Sequence, residues 1–253
     1  MAGTVSGAVG PTDRTGLTLT VLGCSGSFAG PGMACSGYLV RSATTCLWLD
    51  AGPGTLANLQ RHVGLADVDA IVLSHEHPDH WTDVQGFAVA SEHVYHLDPV
   101  PVLVPAGLSD RAQGPVHKLA WDVVGDGDER PVGDLLLRFS RTDHGPETLA
   151  VRVEGGGRAL GYSADSGPGW SLEALGAGLD LALCEATYLS SQEGGGRHMT
   201  ARQAGETARR AGVGRLVITH LQPTVDPGLA CIEASAAFGA PVVAAAADMV
   251  SAV

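Results

Sequence analysis

The stretch Asp69-Ala70-Ile71-Val72-Leu73 runs directly into Ser74-His75-Glu76-His77-Pro78-Asp79-His80, so that an apolar segment is followed by three imidazoles and two carboxylates within seven residues. A short apolar run of this kind predicts a buried strand. Alternation along that strand would deliver His75 and His77 to one side. Pro78 ends regular pairing and turns the chain, which leaves Asp79 and His80 facing a second position close to the first. Imidazole nitrogen and carboxylate oxygen are ligands that borderline divalent ions such as zinc accept. Ligands on two sides imply two metal ions.

Two ions need further ligands, and the sequence supplies them downstream. His144 lies in Thr142-Asp143-His144-Gly145, after the strand-like run Leu135 to Ser140. Asp165 lies in Gly161-Tyr162-Ser163-Ala164-Asp165, just past another short run. His220 closes Arg215-Leu216-Val217-Ile218-Thr219-His220. Each candidate caps a predicted strand, the place where an α/β sandwich gathers its functional groups. A surface loop that was merely rich in histidine would have no such companions.

With these residues in order, the chain resembles the metallo-β-lactamase superfamily from Leu17 to about Val243. Cys184-Glu185-Ala186-Thr187-Tyr188 and Arg197-His198-Met199-Thr200 look like the branch that contains tRNase Z and its phosphodiesterase relatives. The resemblance implies an α/β fold, a four-layered αββα sandwich of two mixed sheets flanked by helices. It also implies a division of ligands: His75, His77 and His144 on one metal, Asp79, His80 and His220 on the other, with Asp165 bridging. Zinc is the first expectation, with Mn2+ or Fe2+ as alternatives. By the same resemblance His198 would donate a proton to the leaving oxygen and Glu185 would orient it, while Asp79 orients or deprotonates the attacking water. Asp50, in Asp50-Ala51-Gly52-Pro53-Gly54, would either support a ligand or cap a helix.

The bulk numbers narrow the chemistry. At 253 residues the chain can bury a full core, and ligands drawn from positions 75 to 220 must converge, so residues 17–253 are expected to form one domain after a flexible segment 1–16. Fifteen basic against twenty-seven acidic residues give a net charge of −12, with no basic run. That balance opposes an extended nucleic-acid surface. Five cysteines without a CxxC pair read as reduced, buried thiols, only Cys24 lying on a turn. Neither a signal peptide nor a membrane span is legible, so the expected location is cytoplasmic. The resemblance also implies a homodimer, although no segment marks an interface.

Elsewhere, Ser36–Val40 and Cys46–Leu49 read as a hairpin around Ala43. Residues 83–96 read as the helix after the metal loop, with His93 and His96 on its surface. The acidic run 125–129 lacks a calcium-loop pattern and reads as a solvated turn. Thr200 and Gln203 form a capping box, while Asp226 and Pro227 open the last helix. Trp81, beside the metal motif, would stack on a substrate or fill the core.

The chemistry expected is hydrolysis by a hydroxide shared between two ions roughly 3.5 to 4 Å apart. Bacterial tRNase Z inserts a long basic arm between the single histidine and the single aspartate, but the stretch from His144 to Asp165 has room only for a hairpin turning at Gly155-Gly156-Gly157. That departure favours small phosphodiesters, cyclic nucleotides among them, over a tRNase Z-type endoribonuclease. A hydrolase of thioesters, lactones or other carbonyl substrates and a non-catalytic metal-binding scaffold are the other readings.

Overall fold

The computed structural model describes residues 16–253, so most of the segment 1–16 lies outside the described residues. In chain order the elements are β1 (Thr18–Gly23), β2 (Gly37–Arg41), β3 (Cys46–Ala51), α1 (Thr55–Leu59), β4 (Ala70–Val72), α2 (Pro78–Trp81), α3 (Asp83–Ala90), β5 (Val100–Val104) and β6 (Leu119–Val123). The second half contains β7 (Glu129–Val132), β8 (Leu135–Arg141), β9 (Leu149–Gly155), β10 (Arg158–Tyr162), β11 (Leu181–Glu185), α4 (Ala201–Arg210), β12 (Arg215–Thr219), α5 (Pro227–Phe238), β13 (Val243–Ala244) and β14 (Val250–Ala252).

Two seven-stranded sheets result, ordered β14-β1-β2-β3-β4-β5-β6 and β13-β12-β11-β10-β9-β8-β7. Each is mixed: β3 to β6 run parallel, as do β10 to β13, while the remaining neighbours, β14 against β1 included, pair antiparallel. Alternation explains the layers. Leu47 and Leu49 of β3 point between the sheets with Leu181 and Leu183 of β11, whereas Trp48 meets α3 through Phe87 and Ala182 and Cys184 meet α4. Strands covered on both faces need apolar residues at successive positions, which is why these runs carry no polar alternation. The outcome is the expected αββα sandwich. Where α4 crosses α5, Gly205 lies against the Ala234 carbonyl, and any Cβ there would collide with it.

Several local expectations are met. The β2–β3 hairpin forms, Thr200 and Gln203 make the reciprocal capping bonds of α4, and the Asp226 carboxylate caps α5 with Pro227 in its first turn. The β9–β10 hairpin turns at Gly156 and Gly157, both at positive φ. Two expectations need correction. Strand β4 ends at Val72, so alternation along a strand does not carry His75 and His77. The Ser74 amide donates to Asp50 Oδ1 rather than to a neighbouring strand, which ends the ladder and releases the next residues as a loop. The helix expected over 83–96 is α-helical only to Ala90; a single π turn follows over Ser91–Tyr95 and His96 takes a left-handed conformation. His93 and His96 are exposed as expected. Trp81 is 6% exposed within the outer core, its indole N–H donating to the Glu76 carbonyl at 3.0 Å, so it fills the core. No helix among the described residues is long and apolar enough to cross a membrane.

Candidate metal centre

Six chain segments meet at one end of the sandwich. The loop after β4 and the short helix α2 bring His75, His77, Asp79 and His80, and the ends of β8, β10, β11 and β12 bring His144, Asp165, Glu185 and His220. The loop leading into α4 adds His198. Three donor groups form: His75, His77, His144 and Asp165 in one, Asp79, His80 and His220 in a second, and Asp165, His198 and His220 in a third that overlaps both. Asp165 faces the first two. Its Oδ1 lies 3.2 Å from His80 Nε2 and 3.4 Å from His220 Nε2, while its Oδ2 lies 3.6 Å from His75 Nε2 and 3.8 Å from His144 Nε2.

The ring nitrogens converge with little to bind. His77 Nδ1 and His144 Nε2 stand 3.1 Å apart, and His80 Nε2 and His220 Nε2 stand 3.2 Å apart. The buried atom His75 Nε2 has no hydrogen-bond partner, and Asp165 Oδ1, though 3.2 Å from His80 Nε2, makes no well-directed bond. Orphaned buried polar atoms are expensive unless a ligand satisfies them. Imidazoles and carboxylates, aimed inward and stripped of other partners, fit a divalent cation.

Charge follows the same layout. Burial lowers His75 and His144 below the ordinary imidazole range, keeping them neutral and able to ligate. Burial opposes the charge on Asp165 and Asp79, yet neighbouring histidines hold both carboxyls well below the carboxylate range. Burial also works against a charged His80, but Asp165 and Asp50 outweigh it and raise that ring well above its usual value. The ionised carboxylates thus draw positive charge to this centre, a proton on His80 or a cation in its place.

Around this centre sits a shell of fixed orienting bonds. Asp50, fully buried at a left-handed turn, accepts from the Ser74 amide at 2.7 Å, Ser74 Oγ at 2.8 Å, His80 Nδ1 at 2.7 Å and Tyr162 Oη at 2.7 Å. Between the two roles open to it, ligand support and helix capping, the geometry decides for support, since α1 begins at Thr55 without a side-chain cap. His220 Nδ1 meets Thr187 Oγ1 at 2.9 Å, and Gly26 is pressed so close to His220 that a Cβ would strike its carbonyl. His144 Nδ1 bonds the Arg197 carbonyl at 3.0 Å. Sequence reasoning missed Thr187 and Tyr162 as orienting groups, and missed Arg197. Thr187 and Arg197 stand inside the two motifs that drew attention, but their partners are far away in the chain.

Glu185 and His198 are brought together. His198 Nδ1 lies 2.9 Å from Glu185 Oε1, and Glu185 is locked by the Ser166 amide at 2.7 Å, Thr187 Oγ1 at 2.7 Å and the Met199 amide at 3.2 Å. Burial would lower His198, but the Glu185 hydrogen bond and charge lift it to about 9. Its ring stacks on that of His220 at 5.4 Å and stands 5.0 Å from that of His144.

Comparison with known proteins identifies the family. Residues 45–221 match the family model described as the Beta-lactamase superfamily domain. The chain belongs to the metallo-β-lactamase superfamily. The Mycobacterium tuberculosis protein Rv1339 is 35% identical over 248 residues, 91% of this chain and 90% of its own. YhfI of Bacillus subtilis, named a probable metallo-hydrolase, is 31% identical over 212 residues, 81% of this chain and 87% of its own. The YhfI crystal structure superposes with a TM-score of 0.86 at 27% identity, covering 94% of this chain and 99% of that one. A protein named ribonuclease Z from Mycobacterium bovis is 27% identical over 247 residues, 84% of this chain and 88% of its own. This superfamily member is a metallo-hydrolase whose His/Asp cluster can hold a divalent metal.

Proposed function

We propose that the protein is a phosphodiesterase with two divalent ions, zinc first among them, acting on small phosphodiesters such as cyclic nucleotides. His75, His77 and His144 would hold one ion, Asp79, His80 and His220 the other, and Asp165 would face both. The observation that carries the reading is the Glu185–His198 pair beside the ligand groups: a buried carboxylate fixes Nδ1 at 2.9 Å, leaving Nε2 free to serve a leaving oxygen.

Bound divalent ions supply the Lewis acidity that yields hydroxide near neutral pH and offsets phosphate charge. Asp79, turned inward by helix α2 and 3.3 Å from His220 Nε2, orients the attacking water. His198 gives a proton to the departing alkoxide, a step that Glu185 supports by holding the imidazole in its protonated form. Glu185 itself is fixed by backbone and hydroxyl donors, so the acid is in place before substrate arrives.

The β9–β10 hairpin supports a small substrate, since it turns tightly at Gly156-Gly157 and extends no arm between His144 and Asp165. The net charge of −12 points the same way.

Metal analysis of the purified protein, combined with hydrolysis of bis-p-nitrophenyl phosphate and 3′,5′-cyclic AMP with and without chelator, tests the reading. Two equivalents of metal and chelator-sensitive cleavage are expected. Full metal content without diester cleavage, accompanied by turnover of a thioester or lactone, would sink it.

A further inference from the structure

The loop between β11 and α4 is fastened to the body at several places. The Ser190 amide and hydroxyl both donate to Glu233 of α5 at 2.8 Å, Glu193 accepts from Arg202 and Gln203 of α4, and the Arg197 carbonyl accepts from His144 Nδ1 at 3.0 Å. Arg197 is therefore placed by the backbone of the loop against a ligand of the metal centre. Its side chain is exposed, and Nη1 leans on the His144 carbonyl at 3.5 Å. Among the described residues it forms no ion pair. The contrast with Arg111 is instructive: that guanidinium is spent on Glu76, at 2.6 and 2.8 Å.

Position decides what Arg197 can bind. His144 directs Nε2 into the centre, 3.8 Å from Asp165 Oδ2, while its Nδ1 and main-chain carbonyl face Arg197. The guanidinium thus rests on the main chain of the residue whose imidazole faces the centre. An anion gripped by Arg197 would lie beside His144, next to the donor groups. In a chain of net charge −12, an unpaired guanidinium at this mouth is suited to an oxyanion that it can bind in a two-pronged fashion.

We propose that Arg197 is a specificity-determining residue that binds a second anionic group on the substrate, selecting phosphodiesters that carry a further phosphate or carboxylate beside the scissile one. This rests on the phosphodiesterase reading above and names its substrate class more narrowly.

Thymidine 5′-(p-nitrophenyl phosphate) and the same ester bearing a 3′-phosphate differ only by that second anion. With the zinc-loaded full-length protein, R197A is expected to lose about tenfold more kcat/KM on the 3′-phosphorylated ester than on the plain one, mainly through KM, and R197K to recover part of the difference. Titration of zinc-loaded wild type and R197A with thymidine 3′,5′-bisphosphate and thymidine 5′-monophosphate reads the same discrimination without turnover. Equal losses on both esters, or no loss on either, overturns the assignment. If the wild type cleaves neither ester, the phosphodiesterase reading falls, and the titration still decides Arg197. A bisphosphate preference that R197A abolishes supports the role; the absence of any preference removes it.

Discussion

His80 and His220 are aimed by side chains rooted in the core, whereas His144 is aimed by the main chain of an exposed loop. On the first side, Asp50 gathers four donors and Thr187 bonds His220. On the second, the Arg197 carbonyl is the partner of His144 Nδ1, and His77, half-buried, has its Nδ1 turned to His144. Buried multidentate bonds resist displacement because every released group would lose a partner in a water-poor place. A loop carbonyl can move with its loop. The His80–His220 side is thus a fixed anvil; on the other side His75 is tied to the same buried network through Ser74 Oγ, 3.0 Å from its Nδ1, while His144 is coupled to an exposed loop.

The largest effect is expected where the halves join. Asp165→Ala should empty the donor groups and lower turnover by about a thousandfold or more, measured by elemental analysis and steady-state kinetics; retention of one tightly held ion would show that the halves are independent. Next comes His198→Ala, expected to lower kcat by about 10²- to 10⁴-fold with metal content unchanged. Unchanged turnover would remove the proton-donor role.

Asp50→Ala tests the rigid side. It leaves the Ser74 amide, His80 and Tyr162 without their acceptor, so destabilisation of about 3 kcal/mol and a 10- to 100-fold drop in metal affinity should appear in thermal melts and chelator competition. Glu193→Ala tests the loop side by loosening the contacts to Arg202 and Gln203. Exposed ion pairs contribute little, so the melting temperature should hardly move while metal affinity falls by less than about tenfold. A larger fall than that of Asp50→Ala would reverse the comparison. The smallest effect concerns Cys35, whose thiol is pushed up to about 12 by burial and then by Asp79. It should alkylate slowly in the native protein near pH 8, and faster in Asp50→Ala, as followed by mass spectrometry.

Much of this was legible in the chain. The apolar runs of β3, β4, β5 and β12 carry their strand character in residue type, and the capping residues Thr200 and Asp226 mark helix starts through bonds made within a few positions. The same holds for the donor types at His75, His77, Asp79, His80, His144, Asp165 and His220. The end of β4 was not legible, because Ser74 is taken out of the ladder by Asp50, twenty-four positions earlier. Nor was the fate of Trp81, since stacking on substrate and filling a core call for the same side chain.

What the sequence by itself determined is the chemistry on offer: which residues can ligate, which strands are buried on both faces, and that no basic arm fits between His144 and Asp165. What only the tertiary structure decided is orientation. That Asp50 steers His80, that Thr187 touches both His220 and His198, and that Arg197 holds His144 through its carbonyl depend on contacts between residues distant in the chain. Local propensity and side-chain periodicity act over a few positions, whereas a hydrogen bond across the sandwich exists only after the sheets have packed.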